Sequence, residues 1–149
     1  MHTAEIIWDC DGDFAKGTYS RGHIWRFDGG TQVPASASPS VVPAPHSEAE
    51  AVDPEEAYIA SISSCHMLWF LDFAMRDGLR VSSYRDQATG ALKNDQGRVW
   101  IPRVDLNITV GFDGQRPDAM RHQALHDKAH HACFIANSVK TEIIVNLKD

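Results

Sequence analysis

Short runs of branched and aromatic residues, separated by turn residues, predict several β-strands along the chain. Residues 3–9 and 18–27 predict two strands, with a turn at DCDGD between them. Residues 79–92 and 97–112 predict a β-hairpin that turns at KNDQG, and residues 139–147 predict a last strand. The order is two strands, a helix, two strands, a helix and one strand, which favours an α+β fold with antiparallel sheet.

Two longer segments predict helices. The motif DPEE at residues 53–56 places Asp53 as an N-cap and Pro54 at the first helical position, and the helix is expected to end near Arg76. Its central part, AYIASISSCHMLWFLDFA, is apolar on every side, which predicts a helix buried all round. Residues 116–136 predict the second helix.

The first helix requires more cover than one small sheet and one companion helix can give. We therefore expect a homodimer in which two such helices lie between two sheets, because two-fold symmetry is the commonest assembly. The length fits a single domain over residues 1–149. Within it, residues 33–53 are rich in Pro, Ala and Ser and are interpreted as a long irregular crossing loop, which at this length is usually functional or mobile.

The composition argues against several classes of function. Of the 149 residues 43% are hydrophobic, and 14 Lys and Arg stand against 20 Asp and Glu, for a formal net charge of −6. This acidic balance, with scattered basic residues, speaks against nucleic acid or an anionic membrane as a partner. The sequence contains no uninterrupted apolar stretch of about 20 residues and no secretion signal, so we expect a cytoplasmic protein.

Three cysteines are the first candidates for chemistry: Cys10, Cys65 and Cys133. An odd number in a chain of this size favours redox or catalytic thiols over a disulfide framework. Cys65 and Cys133 lie in the two predicted helices, so each is either an ordinary core residue or one half of a pair in which one thiol attacks and the other resolves. Burial alone raises the pKa of a thiol, so an active Cys65 needs a cation from elsewhere. Cys10 lies in an acidic turn that opposes a thiolate.

The histidines indicate a competing site. His122, His126 and His130 are spaced i, i+4, i+8 on the second predicted helix, and adjacent members could chelate a metal ion. No further ligand motif completes that site, and a solvated polar face is the simpler interpretation. His66, beside Cys65, is expected to be a core histidine whose hydrogen bonds are satisfied.

The segment DPEEAYIASISSCHMLWFL, followed later by AHHACFIANSVKTEI, resembles the OsmC-like family, which includes the osmotically inducible proteins and the organic hydroperoxide resistance proteins. The resemblance extends to YSRGHIWRFDGG near the N-terminus and so covers essentially the whole chain. It implies an intertwined homodimer in which antiparallel β-sheets wrap around two central buried helices. It also implies a cysteine-based peroxidase that reduces organic hydroperoxides and needs no metal or other cofactor.

By this resemblance, Cys65 takes the peroxidatic position and Cys133 the resolving position. Glu55 falls where the family has a carboxylate that orients an arginine, and in the early hairpin Arg21 is the first candidate for that arginine, with Lys16 as the second. The implied reaction oxidises Cys65 to a sulfenic acid, which condenses with Cys133 to a disulfide. An external dithiol or lipoyl-type reductant then restores both thiols.

Two other interpretations are compatible with the sequence. The chain could be a non-catalytic OsmC-like dimer that binds a small apolar ligand, or a metal at the row of His122, His126 and His130. It could also be a scaffold dimer whose thiols are merely buried. In the catalytic interpretation, Met67, Trp69 and Phe70 could supply an apolar pocket wall that favours organic hydroperoxides over hydrogen peroxide.

Overall fold

The computed structural model describes residues 1–148, and the chain forms two compact units. The first unit is Met1–Tyr58 and the second begins at Ile59. The interpretation of the whole chain as one domain stays a prediction. The α+β class, with two helices and antiparallel sheets, is confirmed.

Within Met1–Tyr58, five strands form a three-stranded antiparallel sheet and a small hairpin. The sheet has the order β1-β4-β5 and the hairpin joins β2 to β3. The strand bounds are β1 (Ala4–Ile7), β2 (Gly12–Asp13), β3 (Thr18–Tyr19), β4 (His23–Phe27) and β5 (Gln32–Ala35).

The predicted strand over residues 18–27 is interrupted between β3 and β4. There the Arg21 amide donates to the His46 carbonyl rather than to a neighbouring strand. Gly22 lies at this bend beside the Glu48 side chain, whose carboxylate occupies the space that a Cβ atom at position 22 would take. The long crossing over residues 33–53 is also less irregular than predicted, since its first residues belong to β5.

Helix α1 (Pro54–Arg76) has the bounds that its sequence predicts. Its start is a capping box: the Asp53 carboxylate accepts from the Glu56 amide at 2.7 Å, and the Glu56 carboxylate accepts from the Asp53 amide at 3.1 Å. Among residues 1–148, neither helix combines the length and the apolar character that crossing a membrane requires.

The second unit is built on a mixed sheet with β10 in its centre. β11 pairs with β10 in parallel, and β6 and β7 pair with its other edge antiparallel. The elements that follow α1 are β6 (Val81–Asp86), β7 (Thr89–Gly90), β8 (Lys93–Asp95), β9 (Arg98–Trp100), β10 (Arg103–Phe112), helix α2 (Ala119–Ala132), a short 3-10 turn (Ala136–Ser138) and β11 (Glu142–Lys148).

This sheet differs from the sequence expectation in two details. One strand pair, β10–β11, is parallel, because α2 crosses over between the two strands. The turn at KNDQG closes only the short hairpin β8–β9, since Gln96 and Gly97 both take positive φ and form a tight two-residue turn. The long strand β10 then returns to pair with β6 and β7.

The core of the second unit lies between α1, α2 and one face of β10. Alternate residues of β10 are buried, from Val104 to Val110, and every fourth residue of α1 is buried from Ile62 to Ala74. Leu68 and Met75, on other faces of α1, are 60% and 63% exposed. The prediction that α1 is buried all round is therefore wrong for the single chain, whose sheet and second helix cover only one side of α1.

Candidate functional site

The second unit brings Cys65 and Cys133 into contact. Cys65 lies in the middle of α1 and is half-buried, whereas Cys133 is the C-cap residue of α2 and is buried. The two thiols share a hydrogen bond. The Ala136 amide also donates to the Cys133 sulfur at 3.4 Å, so the turn that follows α2 fixes the position of this thiol.

The surroundings of Cys133 keep it protonated. Burial raises the pKa of the Cys133 thiol to about 11, and the hydrogen bond with Cys65 adds to the shift. Cys133 is therefore a thiol and not a thiolate near pH 7.

A cavity of about 390 Å³ opens beside Cys65. Its lining consists of Cys65, Leu68, Trp69, Asp72, Arg76 and Phe134. The five residues from α1 are spaced i, i+3, i+4, i+7 and i+11, so they share one face of the helix. The Trp69 ring meets the Phe134 ring edge to face at 5.4 Å, which forms the apolar wall.

The guanidinium in this cavity belongs to Arg76, which the sequence reasoning did not consider. Arg76 Nε lies 2.9 Å from Asp72 Oδ2, so the cation is already paired with a carboxylate. Along a straight helix Arg76 lies ~16 Å from Cys65, at 1.5 Å per residue. Arg76 follows Cys65 with the spacing i, i+11, on the same helix face as Trp69 and Asp72. This spacing is the sequence signal that predicts Arg76 on the Cys65 face.

The predicted activating residues lie in the first unit. The Arg21 guanidinium donates to the backbone carbonyls of Gly17 and Tyr19, at 3.1 and 2.5 Å, and stacks on the Tyr19 ring. Lys16 pairs with Asp13 at 3.5 Å on the surface. Glu55 is half-buried in the first turn of α1. The action of any of these groups on Cys65 stays a prediction.

Three histidines form a buried hydrogen-bonded chain in the second unit. His66 Nε2 lies 2.9 Å from His126 Nδ1, and His126 Nε2 lies 3.2 Å from His122 Nε2. Burial lowers the pKa of His66 to about 4 and that of His126 to about 3, so both imidazoles are neutral near pH 7. We call His66, His126 and His122 the imidazole chain.

The imidazole chain differs from both sequence predictions about histidine. His130 does not extend the row, and its Nδ1 atom is buried without a hydrogen-bond partner in residues 1–148. His66 is only half satisfied, because its Nδ1 atom also has no partner there. Both ring nitrogens of His126 are occupied by other imidazoles, and the described residues contain no group of three or more His, Cys, Asp or Glu that could hold a metal ion.

A family model described as OsmC-like protein matches residues 46–148, which is most of the chain and includes both thiols of the contact pair. The chain belongs to the OsmC-like family. The sequence-based recognition is therefore confirmed.

Solved structures agree with this membership. An OsmC-like protein of unknown function from Vibrio cholerae is 44% identical, covers 99% of both chains and superposes with a TM-score of 0.96. Organic hydroperoxide resistance proteins from Elizabethkingia anophelis and Bacillus subtilis are 17% and 18% identical, each with a TM-score of 0.69. The match to the Elizabethkingia anophelis protein covers 99% of this chain and 94% of that protein. The match to the Bacillus subtilis protein covers 98% of each of the two chains. These two show a shared fold. The comparison with curated proteins gave no match.

Sequence reasoning about the OsmC-like site missed two features. The spacing of His122 and His126 predicted that they are neighbours, but their partner His66 lies 60 positions away in the sequence. Only the packing of α1 on α2 brings that ring to them. Arg76 lies in the last turn of α1, whereas the resemblance to the family points to an arginine in the early hairpin.

Proposed function

We propose that this OsmC-like protein is a thiol-dependent peroxidase that reduces organic hydroperoxides. One observation carries the proposal: the thiols of Cys65 and Cys133 interact, and Cys65 lines an apolar cavity. A reactive sulfur, a resolving thiol and a pocket for an organic group are the three parts that such a reaction needs. The family includes proteins named for organic hydroperoxide resistance, which supports the same assignment.

The first step is attack of the Cys65 thiolate on the terminal oxygen of the hydroperoxide. The O–O bond breaks, an S–O bond forms and sulfur loses two electrons, which leaves Cys65 as a sulfenic acid. The alkoxide that departs takes a proton and leaves as the alcohol. Trp69 and Phe134 would hold the organic group by apolar contact, which favours alkyl and aryl hydroperoxides over hydrogen peroxide.

The second step joins the two cysteines. The Cys133 sulfur attacks the Cys65 sulfenic acid, an S–S bond forms, and the hydroxyl group leaves with the Cys133 proton as water. The contact between the two thiols means that little movement is needed. An external dithiol or a lipoyl-type reductant then restores both thiols, and no resident cofactor takes part in the proposed cycle.

A cation is proposed to stabilise the Cys65 thiolate. We retain Arg21, oriented by Glu55, as the first candidate, and its two backbone hydrogen bonds already limit the freedom of its guanidinium. Glu55 precedes Cys65 by ten residues, ~15 Å along a helix, so it would act through the long arginine or from the partner subunit of a homodimer. Arg21→Gln should then slow the attack on hydroperoxide, whereas Lys16→Gln should not.

The test is turnover of cumene and tert-butyl hydroperoxide with dithiothreitol as the reductant. Cys65→Ser should abolish turnover, and Cys133→Ser treated with hydroperoxide in the absence of reductant should release one equivalent of alcohol without forming the Cys65–Cys133 disulfide. Cys10→Ser, which removes an exposed thiol, should turn over as wild type does. Full activity of Cys65→Ser, with an unchanged circular dichroism spectrum, would exclude the mechanism.

A non-catalytic ligand-binding protein is the second candidate. It rests on a cavity of about 680 Å³ that lies between Phe73 of α1 and residues of α2 such as Ala124 and Ala132. A small apolar molecule bound there would raise the melting temperature of Cys65→Ser as much as that of the wild type. A peroxidase without such a ligand would show no shift in either protein.

A further inference from the structure

The imidazole chain is the buried polar link between α1 and α2. His66 and His126 are 1% and 0% exposed, and their rings lie nearly parallel, with centroids 5.2 Å apart. His126 also stacks on Phe70 of α1, at 4.1 Å and an interplanar angle of 11°. One side chain of α2 is thus held against α1 by a hydrogen bond and by an aromatic stack.

The positions of these residues connect the link to the thiols. His66 directly follows Cys65 in α1, and His126 precedes Cys133 by seven residues. Seven residues make almost two complete turns, so His126 and Cys133 lie near the same face of the α2 segment, ~10 Å apart along its axis. A rotation or slide of α2 that broke the His66–His126 contact would also move Cys133 away from Cys65.

The direction of the hydrogen bonds follows from the atom that has no partner. Each neutral imidazole carries one N–H, so the two bonds of the chain must both run the same way. A buried N–H without an acceptor is rarer than a buried acceptor without a donor. The unpartnered Nδ1 of His66 is therefore the bare acceptor. His66 Nε2–H donates to His126 Nδ1, and His126 Nε2–H donates to His122 Nε2.

We propose that His66 and His126 are positioning residues that hold α2 in the register in which Cys133 meets Cys65. The role rests on the proposed peroxidase function, in which it serves the disulfide-forming step and not the attack on hydroperoxide. His66 and His126 touch neither substrate nor sulfur in this role, and they act through the placement of Cys133.

The experiment compares two variants of the same shape. Asn and Leu at position 126 have similar volume, but only Asn keeps a polar atom near the position of Nδ1 that can accept from His66. In a Cys10→Ser background, the equilibrium of the Cys65–Cys133 disulfide is measured at pH 7 in mixtures of oxidised and reduced dithiothreitol. This readout requires no peroxide, so it remains informative if the proposed peroxidase function fails.

His126→Leu should shift that equilibrium at least tenfold toward the dithiol, and His126→Asn should stay within about threefold of the parent. Leu125→Ala is the matched control for lost packing, because Leu125 is the buried neighbour of His126 on α2 and lies outside the imidazole chain. It should also stay within about threefold. Equal shifts in the Asn and Leu variants, or a tenfold shift in Leu125→Ala, would overturn the proposal.

A second pair of variants tests the same His66–His126 contact by changing His66 of α1. His66→Gln keeps a donor near Nε2 and His66→Met removes it, so the Met variant alone should lose disulfide stability. If both apolar variants, His126→Leu and His66→Met, fail to fold while their amide counterparts fold, the chain has a folding role and the proposal is wrong. In a peroxide-active protein, His126→Leu should slow disulfide formation in a single turnover and leave the oxidation of Cys65 within about twofold.

Discussion

At the level of single residues, the two thiols that contact each other have opposite surroundings. Cys133 is 1% exposed, and burial together with the bond to Cys65 raises its pKa to about 11. Cys65 is half-buried and lines a cavity. A sequence can name both cysteines, because both stand in motifs that resemble a family. It cannot rank their exposure, which depends on the turn that closes over Cys133 after α2.

This contrast predicts the order in which the cysteines react. With iodoacetamide at pH 7.5, Cys10 and Cys65 should be alkylated in the native protein, whereas Cys133 should react only after denaturation. The physical reason is that alkylation needs an accessible thiolate, and Cys133 is both enclosed and protonated. Peptide mass mapping after timed quenching measures the three rates. Alkylation of Cys133 as fast as Cys65 in folded protein would contradict the assignment of roles.

At the level of elements, local signals predicted well and long-range pairing did not. The bounds of α1 follow from a capping box at its start and from Gly78, which takes positive φ just past its end, and these residues all lie within the helix or next to it. The parallel partner of β10 lies beyond α2, and no local pattern specifies which strand edge β11 joins. The same limit hid His66, because its contact with His126 exists only once α1 and α2 are packed.

The imidazole chain predicts that the protein loses stability in mild acid. His66 and His126 have folded-state pKa values of about 4 and 3, below the ~6.5 of an unfolded histidine, and burial also lowers the pKa of His122. The unfolded chain therefore binds protons first as the pH falls, so stability is complete above pH 6.5 and declines below it. His66 alone contributes a loss of about 2 kcal/mol by pH 5.

Charged groups near the imidazole chain also change the pKa values of its histidines. His130 of α2 and Arg116, which precedes α2, both oppose protonation of the chain. Burial raises the pKa of Asp86 of β6, which is a contribution of the opposite sign to the pH dependence of stability. Urea midpoints at pH 7 and pH 5 measure the effect. The double variant His66→Gln, His126→Asn should lose much less stability than the wild type between these pH values. An equal loss of stability in both proteins would show that the acid sensitivity comes from other groups.

At the level of the whole molecule, exposed apolar residues near the cavity bear on the expected homodimer. Leu68 and Met75 of α1 and Phe134 after α2 are each at least 60% exposed, and Leu68 and Phe134 line the Cys65 cavity. Large apolar side chains that cluster at a surface mark interaction sites in soluble proteins. We therefore propose that a second copy of the chain covers this surface.

The dimer predicts a mass twice that of one chain in sedimentation equilibrium at micromolar concentration. Leu68→Asp should shift the protein toward monomer, because a carboxylate in an apolar interface must be desolvated without a partner. Val99→Asp is the matched control, since Val99 is 57% exposed but lies in the β8–β9 hairpin. If Leu68→Asp sediments as a dimer, or if both variants dissociate equally, the partner does not bind through the surface around Leu68. Loss of peroxide turnover on dissociation, with the Cys65–Cys133 disulfide equilibrium unchanged, would further indicate that the partner subunit supplies a group to the attack step.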